Sequence, residues 1–133
     1  MEIGRMAEIL EAEVICGQEN LHKEISLAVA SDMMSDVLVS AESDRVLISG
    51  LCTIHTVLTA QILDLSAVVF VRNKVPTEEM VQTAKENDIA LLRTAMTMYA
   101  ACGELYKSGL KGRRRVDAVS YTHLRAHETL SDL

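Results

Sequence analysis

The chain has 133 residues, 49% of them hydrophobic and 24% charged, with a formal net charge of −6. That balance belongs to a single globular domain and excludes a disordered segment. Residues 113–133 carry four Arg and three acids, which leaves nine basic and sixteen acidic side chains in 1–112, a net −7 that would repel a nucleic-acid backbone.

Aromatic residues make up 3% of the chain, with no Trp and one Phe, so the core must be built from Val, Ile, Leu, Ala and Met. Cys16, Cys52 and Cys102 stand alone, without the C-x-x-C or His spacing of a zinc site. Isolated cysteines suit a reducing compartment. Residues 1–5 are followed by acids and not by the apolar core of a signal peptide. The longest apolar run, 65–71, is too short for a bilayer and is broken by Ser66. The expectation is a cytoplasmic protein with no membrane contact.

Along the chain, residues 4–10 read as a short helix, with Met6, Ala7, Ile9 and Leu10 on its apolar side. Residues 13–16 form a short strand closed by Gly17 and Asn20, and 25–30 a second strand. Ser31 and Asp32 open a helix through Met33, Met34, Val37 and Leu38, with Asp32 as its cap. Residues 45–49 are a buried strand. Gly50 turns the chain into a helix reaching Leu63, with Ile54, Val57, Leu58 and Ile62 at helical spacing.

Residues 67–71 are a continuous β-branched and aromatic run, as in a central parallel strand buried on both faces. A loop through Arg72, Asn73, Lys74, Val75 and Pro76 leads to a helix from Thr77, whose first turn holds Glu78 and Glu79 against the helix dipole. Residues 89–92 are another strand and 94–108 a final helix ended by Gly109. Strands alternating with helices predict a small single-domain α/β fold: a mainly parallel sheet of about five strands flanked by helices. No repeat or linker interrupts residues 1–112.

In open parallel sheets, ligands bind beyond the carboxyl ends of the strands, where helix N-termini present unpaired N–H groups. Three turns have that pattern: Ala30-Ser31-Asp32, Ser49-Gly50-Leu51-Cys52-Thr53, and Arg93-Thr94-Ala95. Arg72 and Lys74 follow a fourth strand and project over the same edge. The candidate ligand-binding set is therefore Ser31, Asp32, Ser49, Gly50, Thr53, Arg72, Lys74 and Thr94, with the hydroxyls, amides and cations of an anion or nucleotide-phosphate site. Taken singly, each has an ordinary use as a helix cap, a turn residue or a solvated charge. The phosphate loop G-x-x-x-x-G-K-[ST] is absent.

Other motifs are weaker. Cys52 and His55, three apart on one helical face, have the spacing of a Cys–His pair, but no third group orients them and nothing activates the thiol. His22 sits in a polar turn. Met33, Met34, Met96 and Met98 are at spacings typical of core filling. No base–nucleophile pair, metal cluster or cofactor motif is present, and the sequence is read as non-enzymatic with no cofactor.

From Ala30-Ser31-Asp32-Met33-Met34-Ser35-Asp36-Val37-Leu38 the chain resembles the DRTGG domain family. The likeness continues through Leu47-Ile48-Ser49-Gly50-Leu51, residues 63–72, Glu86-Asn87-Asp88-Ile89-Ala90-Leu91-Leu92 and residues 97–112. The family's literal Asp-Arg-Thr-Gly-Gly is missing; its nearest pieces are Asp44-Arg45 and Ser49-Gly50. The resemblance implies an α/β fold related to the N-terminal domain of HPr kinase/phosphorylase. Relatives accompany phosphotransacetylases or lie between the CBS domains of regulated pyrophosphatases. It therefore implies a regulatory, homodimer-forming module without chemistry of its own; the strand-end residues, and not the resemblance, give the reading of a sensor for a nucleotide or phosphorylated metabolite. The other reading is a protein–protein adaptor with no small ligand.

Residues 118–129, AVSYTHLRAHET, resemble the translated frame of a transposon-based sequencing-library adapter. The apparent metal pattern of His123, His127 and Glu128 is accordingly set aside, as is the triplet Arg113-Arg114-Arg115 as a phosphate contact. The domain is read as 1–112, followed by a tail over 113–133.

Overall fold

The computed structural model describes residues 1–38 and 44–115; the adapter-like segment lies outside the described residues. Element order is α1 (Ile3–Ile9), β1 (Glu13–Cys16), a 3-10 turn (Gln18–Asn20), β2 (Leu27–Ala30), α2 (Met34–Leu38), β3 (Arg45–Ser49), α3 (Ile54–Ile62), β4 (Ala67–Phe70), α4 (Glu78–Glu86), β5 (Ala90–Arg93) and α5 (Met98–Lys107). The five strands form one sheet in the order β1-β5-β4-β3-β2. β2 to β5 are parallel, and β1 is antiparallel at the β5 edge. The expected α/β architecture is therefore observed.

Strands β3 and β4 are buried along their whole length: β4 is an unbroken apolar run, and β3 has the apolar centre Val46-Leu47-Ile48 between the buried polar residues Arg45 and Ser49. Their alternating side chains feed two cores. On one face Val46, Ile48, Val69 and Leu92 meet Met6 and Leu10 beside α1, and Ala101 and Leu105 of α5. On the other, Leu47, Val68, Phe70 and Leu91 meet Val37 of α2, Val57 and Ala60 of α3, and Met80 and Ala84 of α4. The helices between the parallel strands thus share one face. The first and last helices cover the other.

Local chemistry sets the boundaries. Thr77 caps α4, its hydroxyl accepting the Met80 N–H at 3.2 Å, with Glu78 and Glu79 in the first turn as expected. Gly17 has φ +89° after β1, and a Cβ there would stand 2.6 Å from the Ala90 Cα, so only glycine lets the chain leave β1 against β5.

Three expectations are corrected. The last helix starts at Met98 and is capped by Thr97, whose hydroxyl accepts the Ala100 N–H at 3.2 Å; Thr94 lies well before it. Asp32 does not cap α2: its carboxylate turns to the neighbouring strand connection, and the Ser31 hydroxyl takes the Met33 N–H instead. The third concerns the buried face of α3, which is Thr56, Val57, Thr59 and Ala60, while Leu58 and Ile62 point outward, Ile62 72% exposed. The Thr56 hydroxyl donates to the Leu51 carbonyl, which removes the cost of burying it. Among the described residues, no helix is long and apolar enough to cross a membrane.

Candidate functional site

The connections leaving β2, β3 and β4 meet at the carboxyl edge of the sheet, because these parallel strands are paired in order. Asp32, after β2, is the link between the first two. Its Oδ1 accepts the Gly50 N–H at 2.7 Å and the Ser49 hydroxyl at 3.1 Å. The Ser49 oxygen in turn accepts the Leu51 N–H at 3.1 Å. A single carboxylate oxygen so fixes the turn into α3, on a residue that is otherwise exposed. Next in the turn is Thr53, at the N-terminus of α3. Its hydroxyl oxygen is buried, caps nothing and has no partner among the described residues.

Arg72 completes the cluster. A Cβ on Gly50 would come within 2.5 Å of the Arg72 Nη2 and 3.2 Å of Cζ, so the guanidinium occupies the space that a side chain at position 50 would fill. Among the described residues no ion pair involves Arg72. Arg72 and Asn73 are consecutive left-handed residues, with φ of +57° and +62°. For Arg72 this conformation costs about 1–3 kcal/mol, while Asn adopts it more readily; Glu11, Asp44, Asp64 and Asp88 share it elsewhere in the chain. Two hydrogen bonds hold the pair: the Arg72 N–H donates to the Met96 carbonyl and the Asn73 N–H to the Thr94 carbonyl, both at 2.8 Å. These bonds also bridge the gap where the chain leaves β4 for one face of the sheet and β5 for the other.

Lys74 is exposed, with its ammonium acting on the Cys52 thiol. Burial nonetheless pushes the Cys52 thiol up, the reverse of the activation that a Cys–His nucleophile needs. Cys16 and Cys102 are likewise raised by burial. Among the described residues, no group of three or more His, Cys, Asp or Glu could hold a metal.

Seven of the eight expected site residues therefore gather here. Thr94 does not share their surroundings. It is buried, and its hydroxyl donates to the Leu10 carbonyl at 2.7 Å and accepts the Met96 N–H at 3.2 Å. It ties the β5 exit to α1 and, through its carbonyl, to Asn73. Sequence reasoning missed the carbonyls of Thr94 and Met96, since main-chain acceptors carry no residue signature. It also passed over a shallow apolar groove beside α5, lined in part by Cys102 and Tyr106, which the spacing of Tyr99, Cys102 and Tyr106 could have indicated.

Comparison with protein-family models finds no match, and comparison with curated proteins finds none. Among solved structures, the chain is similar to the CBS and DRTGG domains of the regulatory region of Clostridium perfringens pyrophosphatase, complexed with the activator diadenosine tetraphosphate. The TM-score is 0.63 at 16% identity, over 96% of this chain and 60% of that one. The chain thus spans less than two thirds of its neighbour. At this identity the likeness shows the fold.

Proposed function

We propose that the chain is a DRTGG-type regulatory domain, without chemistry of its own, that binds a nucleotide or phosphorylated metabolite at the carboxyl edge of its sheet. The observation that carries this reading is the Arg72 guanidinium, set over Gly50 on a left-handed backbone and taken up by no acid among the described residues. A guanidinium so placed offers paired donors to phosphate oxygens. Lys74, exposed two residues on, adds a second cation. The neighbouring fold supports the regulatory role, as that structure carries a nucleotide activator. Calorimetric titration of the full chain with ADP tests it. Wild type is expected to bind and Arg72→Ala to bind at least tenfold more weakly; equal affinities would refute the site.

One observation favours a second, compatible reading, a homodimer or protein-partner surface. Leu58 and Ile62 lie four apart on α3 and both face outward. Sedimentation at micromolar concentrations should then show a dimer that Ile62→Glu dissociates; monomer throughout would remove the homodimer.

A further inference from the structure

A groove of about 180 Å³ lies between the edge strand β2 and helix α5, walled by Ala28, Ala30, Ile48, Cys102, Leu105 and Tyr106. The two strands that form its floor lead into the connections that carry the Arg72 cluster. Ala30 and Ile48 are register partners, and the chain continues from them to Ser31-Asp32 and to Ser49-Gly50. Continued one residue past the end of β3, strand alternation would put Gly50 on the same side of the sheet as Ile48, and the Arg72 guanidinium lies over Gly50. On the opposite wall, the Tyr106 ring is held by the Lys111 ammonium, 4.2 Å from its centroid.

Size decides what such a groove can take. Whole small-ligand pockets span about 300–1,000 Å³, whereas a cavity of about 150 Å³ lined by apolar side chains accommodates a benzene ring. The groove is therefore too small for a nucleotide and large enough for one aromatic ring system. Its lining is almost wholly apolar, which suits the face of a heterocycle and not a phosphate or sugar.

We propose that this groove is the base subsite of the carboxyl-edge site, so that its ligand is a nucleotide and not a simple phosphorylated metabolite. The heterocycle lies on Ala30, Ile48 and Cys102, the ribose passes the exposed Asp32, and the phosphate meets Arg72. This inference rests on the reading of Arg72 as the anion contact, and the test separates the two.

The full chain is titrated calorimetrically with ADP, ribose 5-phosphate and inorganic phosphate. The variants are Ala30→Leu and Cys102→Leu, each of which fills the groove, and Arg72→Ala. Circular dichroism checks that each is folded. Wild type should bind ADP at least tenfold more tightly than ribose 5-phosphate. Either groove variant should bring ADP to the level of ribose 5-phosphate and leave ribose 5-phosphate unchanged, while Arg72→Ala weakens both. Independently of any variant, ADP should slow maleimide labelling of Cys102 at least fivefold, and ribose 5-phosphate should not. Equal wild-type affinities for ADP and ribose 5-phosphate, both dependent on Arg72, would overturn the base subsite and leave the anion site standing. ADP binding that is indifferent to Arg72, or no binding of any of the three, would overturn both.

Discussion

Asp32 and Gly50, eighteen residues apart, are joined by a 2.7 Å hydrogen bond from the Gly50 N–H to the Asp32 carboxylate. The same oxygen takes the Ser49 hydroxyl, so one acid after β2 shapes the turn after β3. Hydrogen bonds to a charged acceptor contribute about 1.5–3 kcal/mol, and less where water competes. Asp32→Ala is expected to lower unfolding stability by about 1–2 kcal/mol. Asp32→Asn keeps an acceptor oxygen and should lose less than half of that. Urea denaturation of the two variants measures the difference directly; equal losses would show that the acceptor is not what matters.

Gly50→Ala brings a methyl group against the Arg72 guanidinium, the far end of a flexible side chain. Stability should therefore change by less than about 1 kcal/mol, since a surface side chain swings aside at small cost. Binding is another matter: displacing the guanidinium should weaken ADP nearly as much as Arg72→Ala does. Calorimetry alongside thermal melting separates the two effects, and a Gly50→Ala variant with wild-type affinity would mean the cradle is irrelevant.

Thr94→Val should behave in the opposite way. It removes the hydroxyl between the Leu10 carbonyl and the Met96 N–H, both of which are then left without that partner. Leaving buried polar groups unpaired costs about 1–3 kcal/mol. A fall of that size in chemical denaturation, with ADP affinity within twofold of wild type, is expected. A large loss of affinity in a fully folded variant would return Thr94 to the binding residues.

Asp88 sets an acid limb to the stability. The Asn20 side-chain amide donates to it at 2.8 Å and the Lys23 ammonium meets it at 2.9 Å; together they hold its carboxyl below the ordinary range. A carboxyl depressed in the folded state contributes stability above its unfolded value, about 3.9. That contribution is lost as pH falls through the folded value. Asp88→Asn should therefore lower stability at pH 7 and flatten its fall below about pH 4. Because Asp88 is largely exposed, the effect is modest. Parallel urea titrations of wild type and variant from pH 7 down to pH 2.5 would reveal it; identical slopes would argue against the pairing.

Much of the fold could be read from the residues. Buried runs such as 67–70 allow no other strand environment, and Thr77-Glu78-Glu79 states its own helix start. The face of α3 was not legible, because Thr56 and Thr59 look polar and only tertiary contact provides the carbonyl that satisfies Thr56. The final helix began late for a related reason: Thr94 and Thr97 are equally good caps by type, and the Leu10 carbonyl claims the first. At the candidate site, the residue types at the strand ends pointed to one edge, and seven of the eight residues do lie along it. That Asp32 serves Gly50 and not its own helix is a contact between strands, which no local pattern encodes.

The two main-chain bonds from Arg72 and Asn73 to Met96 and Thr94 give the cation a second address. Its position is set by the entry to α5 as much as by β4, so a ligand that pulls on the guanidinium also pulls on that helix. Thermodynamic reciprocity then requires the converse: whatever grips α5 tunes the grip on the ligand by the same factor. If the proposed site binds its ligand, the coupling would run in both directions through two amides that carry no side-chain signature at all.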